Sequence, residues 1–200
     1  IGVIDKSSEY GYRDYMIILL MYESAIRVSE LINVRLIDFR FSKPYSIKIV
    51  GKGNKQRYVP LSEQFIEKVQ EYVLSLNNKK LETDFLFTNH SNNKLTRAGV
   101  SHILNKYVTV ARKNNPSLFK ENVTPHTLRH TKAMHLLQDD VNLIYIRDIL
   151  GHSSIQTTEI YARADSARLR QAIEKSYKEL STETKCEWQE EKIINWLKSF

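Results

Sequence analysis

The chain has 200 residues, of which 42% are hydrophobic and 26% are charged, a composition typical of a globular protein and unlike that of disordered or fibrous chains. A single cysteine, Cys186, excludes an internal disulfide and a zinc site of several cysteines, and the longest apolar run, Tyr15 to Tyr22, is far shorter than the roughly 20 residues of a membrane span. The 30 Lys and Arg residues against 23 Asp and Glu give a net charge of +7, which favours a polyanionic partner.

The sequence of the first half of the chain predicts several helices and one β-hairpin. Ser8 with Glu9 starts a buried helix through "YGYRDYMIILLMYESA", and "VSELINV" predicts a short second helix. In "SIKIVGKGNKQRYVPL" two alternating runs flank a glycine-rich, basic turn at residues 51–54, which predicts a β-hairpin. "LSEQFIEKVQEYVLSL" returns to helix, and "DFLF" suggests one more short strand.

The second half predicts helices only. "LTRAGVSHILNKYVTVARK" is helical, Pro125 occupies the first turn of the next helix, "HTLRHTKAMHLLQ", and Gly151 ends the helix "NLIYIRDILG". "SIQTTEIYARA" and "DSARLRQAIEKSYKEL" follow as further helices. Taken together, the elements predict an α+β fold that is mainly α-helical with a small antiparallel β-sheet.

The last twenty residues, 181–200, differ from the rest. "STETK" reads as a linker, and an apolar stripe then recurs at helical spacing on Ile193, Trp196, Leu197 and Phe200. This amphipathic tail helix packs on its own domain or is exchanged with a neighbouring subunit, and the sequence leaves both possibilities open.

Histidines are concentrated at the start of the helix after Pro125. His126 and His130 are four residues apart, as zinc ligands on a helix are, but a zinc site needs a third ligand, and the intervening "TLR" brings an arginine that repels a metal. His126 and Arg129 are neighbours on the helix, and a guanidinium donates a planar fork to two phosphate oxygens. For this pair alone, a solvated basic surface is the simpler interpretation.

Three further motifs, "ESAIRVSEL", "GKGNKQRYVPL" and "LGHSSIQTTEIYARAD", accompany "TPHTLRHTKAMHLL". Their order and spacing resemble those of the tyrosine recombinase (phage integrase) family, from about Ser8 to Leu180. The resemblance implies a catalytic domain over residues 1–180, a linker and tail over 181–200, and an N-terminal DNA-clamping domain that is absent from this chain. One departure is Ser24-Ala25 where the family usually has Thr-Gly; a positive φ at the alanine costs about 1 kcal/mol.

The resemblance also implies the site. Tyr161 is the nucleophile that forms a 3′-phosphotyrosyl link and leaves a free 5′-hydroxyl, without a metal, ATP or any other cofactor. The other implied catalytic residues are Arg27 and Arg129 on the non-bridging oxygens, Lys52 as acid, His126 as base or hydrogen-bond partner of the tyrosine, and His152 as donor to the phosphate. The implied supporting residues are Glu30, which orients the site, and Lys55 and Arg57, which contact backbone phosphates.

The implied partners are double-stranded DNA and three further copies of the chain, as a homotetramer on DNA and a monomer or weak oligomer without it. The implied location is the cytoplasm, for a bacterial or phage-encoded protein. Without the clamping domain, residues 1–200 are expected to bind DNA too weakly to recombine it. The alternatives are a type IB topoisomerase-like or telomere-resolving enzyme, a non-catalytic DNA-binding relative, and a metal-dependent nuclease built on His126 and His130. Integration, excision, transposition and dimer resolution all remain open.

Overall fold

The structure is a computed structural model that describes residues 1–76, 81–118, 122–152 and 158. Two compact units divide the chain, Ile1–Glu159 and Ile160–Phe200, and all described residues lie in the first unit. Tyr161, the helices predicted after it and the tail over 181–200 are outside the described residues. The described part contains six α-helices and one three-stranded antiparallel sheet, which confirms the predicted fold class.

The first helix, α1 (Glu9–Ser24), runs through the core. As predicted, Ser8 caps it, because the Ser8 hydroxyl accepts a hydrogen bond from the Gly11 N–H at 3.1 Å. Side chains on several faces of α1 are fully buried, since the helix packs against four other helices. At its carboxyl end Ala25 adopts the left-handed conformation with φ 49°, and α2 (Val28–Leu31) follows at once.

The sheet consists of β1 (Phe39–Arg40), β2 (Ser46–Val50) and β3 (Gln56–Pro60), in that order. The predicted hairpin is confirmed: β2 and β3 pair antiparallel, with Ile47 opposite Val59 and both side chains buried. Strand β1 was not predicted, because two residues are too few to show an alternation. The "DFLF" segment contributes an isolated bridge between Phe85 and Arg35 rather than a strand.

Four helices complete the described unit: α3 (Glu63–Ser75), α4 (Arg97–Asn114), α5 (Pro125–Gln138) and α6 (Leu143–Leu150). Each begins at a polar side chain that accepts a backbone hydrogen bond. The predicted Pro125 start of α5 is confirmed, and so is the Gly151 stop of α6, where φ is +62°. Among the described residues, no helix has both the length and the apolar character required to cross a membrane.

The hydrophobic core lies between α1, α3, α4 and the inner face of the sheet. Helix α5 packs on α1, and α6 packs on both α5 and β3. The end of α1, the short helix α2, strand β3 and the carboxyl end of α6 therefore meet beside the core.

Gly11 is required because the chain before α1 passes directly over it. A Cβ at Gly11 would lie 1.9 Å from the Asp5 carbonyl oxygen and 2.7 Å from the Ser8 hydroxyl. We expect Gly11→Ala to lower the free energy of unfolding by about 1–3 kcal/mol, as overpacking does, measured by urea denaturation.

Gly99 supplies the matched control, since it is also the third residue of a helix and its N–H also donates to the capping hydroxyl, here that of Thr96. A Cβ there meets only that hydroxyl, at 3.3 Å. Gly99→Ala is expected to stay within about 0.5 kcal/mol of the wild-type value. If the two variants lose the same free energy of unfolding, the effect of Gly11→Ala does not come from the contact with Asp5.

Candidate active site

The carboxyl end of α6 presents three consecutive carbonyls, and each accepts a hydrogen bond from a different arginine. The last carbonyls of a helix have no partner within the helix and carry the negative end of its dipole, so they attract cations. The pairs are Arg57 Nε to Ile149 (2.9 Å), Arg129 Nη2 to Leu150 (2.6 Å) and Arg27 Nη2 to Gly151 (3.2 Å).

These arginines come from three distant segments of the chain. Arg27 is the residue before α2, Arg57 lies on β3, and Arg129 lies on the second turn of α5. The fold therefore brings together Arg27 and Arg129, the two guanidinium groups predicted to hold one phosphate, and adds a third.

Arg129 is buried, with only 3% of its surface exposed. Its Nη1 donates to the Ala25 carbonyl at 2.7 Å, while Nη2 donates to Leu150. The left-handed turn at Ala25 thus provides an acceptor for Arg129. The positive φ considered for Ser24-Ala25 is present at Ala25, and an L-residue there carries a cost of about 1–2 kcal/mol.

Glu30 lies between two of the arginines and is itself buried, with 6% of its surface exposed. It accepts the backbone N–H of Arg27 at 2.8 Å and Arg27 Nη1 at 3.1 Å. Arg57 donates Nη1 and Nη2 to the two oxygens of Glu30, at 2.9 and 2.8 Å. Glu30 thus contacts two arginines at once, and the orienting role that the resemblance implied for it stays a prediction.

The electrostatic state of Glu30 follows from these contacts. Burial alone would raise the pKa of the carboxyl, but the hydrogen bonds from Arg57 and from the Arg27 backbone, together with the two positive charges, outweigh burial. The pKa of Glu30 is therefore below its ordinary value. Glu30 is a carboxylate at neutral pH and balances part of the charge of the arginines.

Arg57, for which the resemblance implied a backbone-phosphate contact, lies on the inner side of the sheet. It stands opposite Ile49 in the hairpin register and two residues before the buried Val59, so it belongs to the inner face of the sheet. Its side chain is 13% exposed, and Nε, Nη1 and Nη2 each donate to a protein oxygen. The period of two along β3 was the available sequence signal, because it places residues 57 and 59 on one face.

His152 follows α6 directly, and its backbone N–H donates to the Arg147 carbonyl at 3.1 Å. The ring Nδ1 lies 3.1 Å from the Thr158 hydroxyl oxygen. Burial first, and then the positive charges of Arg129, Arg27, Arg57 and His126, lower the pKa of His152 to about 4. The ring is therefore neutral at pH 7, and one ring nitrogen donates while the other accepts.

His126 and His130 lie on the exposed side of α5, with ring centroids 5.7 Å apart. Over the residues that the structure describes, three or more His, Cys, Asp or Glu side chains nowhere come together as a group that could hold a metal ion. The base or hydrogen-bond role of His126 stays a prediction.

The hairpin tip is defined by its backbone. The Gly51 N–H donates to the Lys55 carbonyl at 2.8 Å and closes a turn that contains Lys52–Asn54. The side chain of Lys52 is outside what the structure describes, as is Tyr161, so the acid and nucleophile roles stay predictions. Lys55 is exposed at the tip, and its role as a phosphate contact also stays a prediction.

Charge is distributed unevenly in the arrangement. The cluster contains three guanidinium groups and one buried carboxylate, Glu30, which Arg27 and Arg57 contact. Arg27 is the most open of the three arginines, with 42% of its side chain exposed. A net positive cluster with one accessible guanidinium edge can bind an anion such as a phosphate diester.

Curated relatives resemble the chain over most of its length. It is 36% identical to the tyrosine recombinase XerD of Staphylococcus haemolyticus over 170 residues, which cover 84% of this chain and 55% of the relative. It is 35% identical to the tyrosine recombinase XerA of Pyrococcus horikoshii over 164 residues, which cover 82% of this chain and 55% of the relative. The chain therefore spans about half the length of the curated relatives it matches.

Solved structures of recombinases have a fold similar to that of this chain. The XerH site-specific recombinase, bound to a palindromic difH substrate in a post-cleavage complex, superposes with a TM-score of 0.72 at 30% identity, over 85% of this chain and 47% of that chain. The XerA recombinase superposes with a TM-score of 0.69 at 25% identity, over 82% of this chain and 58% of that chain.

The sequence matches the phage integrase family over residues 3–168, a range that contains every predicted site residue from Arg27 to Tyr161. This match, together with the relatives and with the fold, shows that the chain belongs to the phage integrase family, the tyrosine recombinases.

Proposed function

We propose that the chain is the catalytic domain of a site-specific DNA recombinase, which cleaves and rejoins DNA strands through a covalent 3′-phosphotyrosyl intermediate. The observation that carries the proposal is the convergence of Arg27, Arg129 and His152 at the carboxyl end of α6. The likeness to a recombinase structure with its DNA substrate supports the same conclusion.

In the proposed reaction, Arg27 and Arg129 donate to the non-bridging oxygens of one phosphate and stabilise the pentacoordinate transition state. Each guanidinium is already held by a backbone carbonyl at its Nη2, so little reorganisation is needed when charge develops on the phosphate. Two fixed guanidinium groups supply the charge stabilisation that a metal ion supplies in other phosphoryl-transfer sites.

Tyr161 is the proposed nucleophile. Its phenol oxygen forms a bond to phosphorus as the bond from phosphorus to the 5′-oxygen breaks; the phenol proton passes towards His126, and the 5′-oxygen takes a proton from Lys52. A phenol with an ordinary pKa of about 10 is a competent leaving group, so a 5′-hydroxyl later reverses the step. The phosphotyrosyl ester conserves the bond energy, and ATP is not consumed.

His152 is proposed to donate a hydrogen bond to the same phosphate. The tautomer that fits this role carries its proton on Nε2, so that Nδ1 accepts from the Thr158 hydroxyl and Nε2 is the donor. A neutral donor suits this position, since the two arginines already provide the positive charge.

The proposed partners are double-stranded DNA and three further copies of the chain, arranged as a tetramer on two DNA sites. The net charge of +7 supports a salt-dependent attraction to phosphates. The exposed Lys55 at the hairpin tip is proposed as one backbone-phosphate contact.

The nucleophile is tested with a nicked suicide substrate that carries the cognate site. We expect a covalent protein–DNA adduct with the wild-type chain and none with Tyr161→Phe, because the phenylalanine has no oxygen to attack phosphorus. Denaturing gel electrophoresis measures the adduct. A chelator is expected to leave the adduct unchanged, since the proposed reaction uses no metal.

Tyr145→Phe is the matched control, because Tyr145 is a tyrosine of α6 with 66% of its surface exposed and no role in the proposed reaction. It should form as much adduct as the wild type. Adduct in Tyr161→Phe at the wild-type level would place the nucleophile elsewhere.

The state of His152 is tested by an NMR titration of its ring protons. We expect a pKa of about 4 in the folded chain, because burial and the arginines disfavour the imidazolium. In denaturant the value should return to about 6.5. The neutral ring thus contributes stability that is present above pH 6.5 and is lost as the pH falls towards 4.

The free energy of unfolding in urea, measured between pH 7 and 4, also tests whether the pKa of His152 is lowered in the folded chain. His152→Gln should show a smaller loss of stability over this range than the wild type, since glutamine does not titrate. A folded-state pKa for His152 at or above the ordinary value of about 6.5 would contradict the predicted effect of burial and of the arginines.

A further inference from the structure

We infer that Arg57 is a positioning residue of the proposed active site, which connects the β2–β3 hairpin to Glu30 and to the carboxyl end of α6, and that it does not contact DNA. This inference rests on the proposed function and adds a residue that acts through others. The third arginine of the cluster then has a role different from those of Arg27 and Arg129.

The contacts of Arg57 reach two separate elements at once. Its fork binds both oxygens of Glu30, in α2, and its Nε binds the Ile149 carbonyl in α6. Because Arg57 itself belongs to β3, one side chain holds three segments in fixed relation. Fork geometry of this kind is more rigid than a single ion pair.

Glycines flank the Arg57–Glu30 pair at close range. A Cβ at Gly151 would lie 2.9 Å from Arg57 Nη1 and 3.0 Å from its Cδ, and a Cβ at Gly51 would lie 3.4 Å from Glu30 Oε1. The packing around Gly151 therefore leaves no room for a side chain against the Arg57 guanidinium. A side chain at residue 151 would displace the Arg57 guanidinium, and the φ of +62° there also favours glycine.

Arg57 affects the position of Arg27 because both arginines bind Glu30. Glu30 also accepts the backbone N–H and Nη1 of Arg27, so a displacement of Glu30 displaces the proposed phosphate-binding guanidinium. Arg57 further fixes the base of the hairpin whose tip contains Lys52, relative to the turn that carries His152. Arg57 thus sets the relative positions of groups from both sides of the phosphate.

An arginine is needed at this position. Lysine is a single point charge, and it cannot span two carboxylate oxygens and a carbonyl at the same time. A phosphate contact would need an outward donor, whereas the Arg57 side chain is 13% exposed and directs three nitrogens to protein oxygens. The two roles therefore predict different effects of the same substitutions.

The experiment compares Arg57→Lys and Arg57→Gln with the wild type on the nicked suicide substrate. At saturating protein, we expect the single-turnover rate of adduct formation to fall by about 10–100-fold in both variants, as when orienting partners of a reactive group are lost. DNA affinity should change by less than about twofold, with the same salt dependence, because no phosphate contact is removed.

Arg40→Gln is the matched control. Arg40 is an exposed arginine of the same sheet whose hydrogen bonds, to Ser42 and to the Lys43 carbonyl, lie outside the site. Its variant should keep the wild-type rate. Glu30→Gln should reproduce the rate loss, and the double variant with Arg57→Gln should be no slower than the slower single variant, because the two residues act as one unit.

Two results would overturn the inference. One is full activity in Arg57→Lys, which would show that charge alone is needed. The other is an unchanged rate at saturation in Arg57→Gln with weaker DNA binding and a salt slope reduced by about 0.9, the signature of one lost phosphate contact. Thermal unfolding is recorded for each variant, and Glu30→Gln replaces any Arg57 variant that is unfolded at the assay temperature.

Adduct formation by the wild-type chain shows whether a negative result refutes the proposed function or only the role of Arg57. Absence of a Tyr161-dependent adduct in the wild type would refute the recombinase mechanism itself. A normal wild-type adduct with an unimpaired Arg57→Lys would refute only the role of Arg57.

Discussion

The site depends on the end of one helix. The carbonyls of Ile149 and Leu150, the last two residues of α6, and of Gly151, which follows them, accept hydrogen bonds from three arginines. Guanidinium groups repel one another, so their gathering needs compensation, which the negative end of the helix dipole and the buried carboxylate of Glu30 provide. Helix α6 is only eight residues long, yet its carboxyl end determines where residues from α2, β3 and α5 meet.

Burial makes this arrangement specific. Arg129 is nearly inaccessible, and a buried guanidinium requires acceptors at defined positions, which the carbonyls of Ala25 and Leu150 supply. The strained turn at Ala25 is therefore tolerated beside a well-packed core. The same burial and charge lower the pKa of His152, so a single environment determines both the arginine geometry and the neutral state of the histidine.

Local signals in the sequence were sufficient for much of the fold. The Ser8 cap, the hairpin and the Gly151 stop all depend on neighbouring residues, and the motifs brought Arg27, Arg129 and His152 into one candidate site. Strand β1 is too short to show a pattern. The carbonyl acceptors of α6 could not be predicted, because every residue has a carbonyl and only tertiary packing selects those three. The resemblance implied a phosphate contact for Arg57, whereas its strand alternation with Val59 is the signal that places it on the inner face of the sheet.

The central claim is that two of the arginines held by α6 act on a single phosphate. A crystal structure of the chain bound to its nicked DNA site tests it most directly. We predict that Arg27 and Arg129 both donate to the oxygens of the scissile phosphate while each keeps its hydrogen bond to Gly151 or Leu150. Guanidinium groups that leave these carbonyls, or that contact different phosphates, would contradict the account.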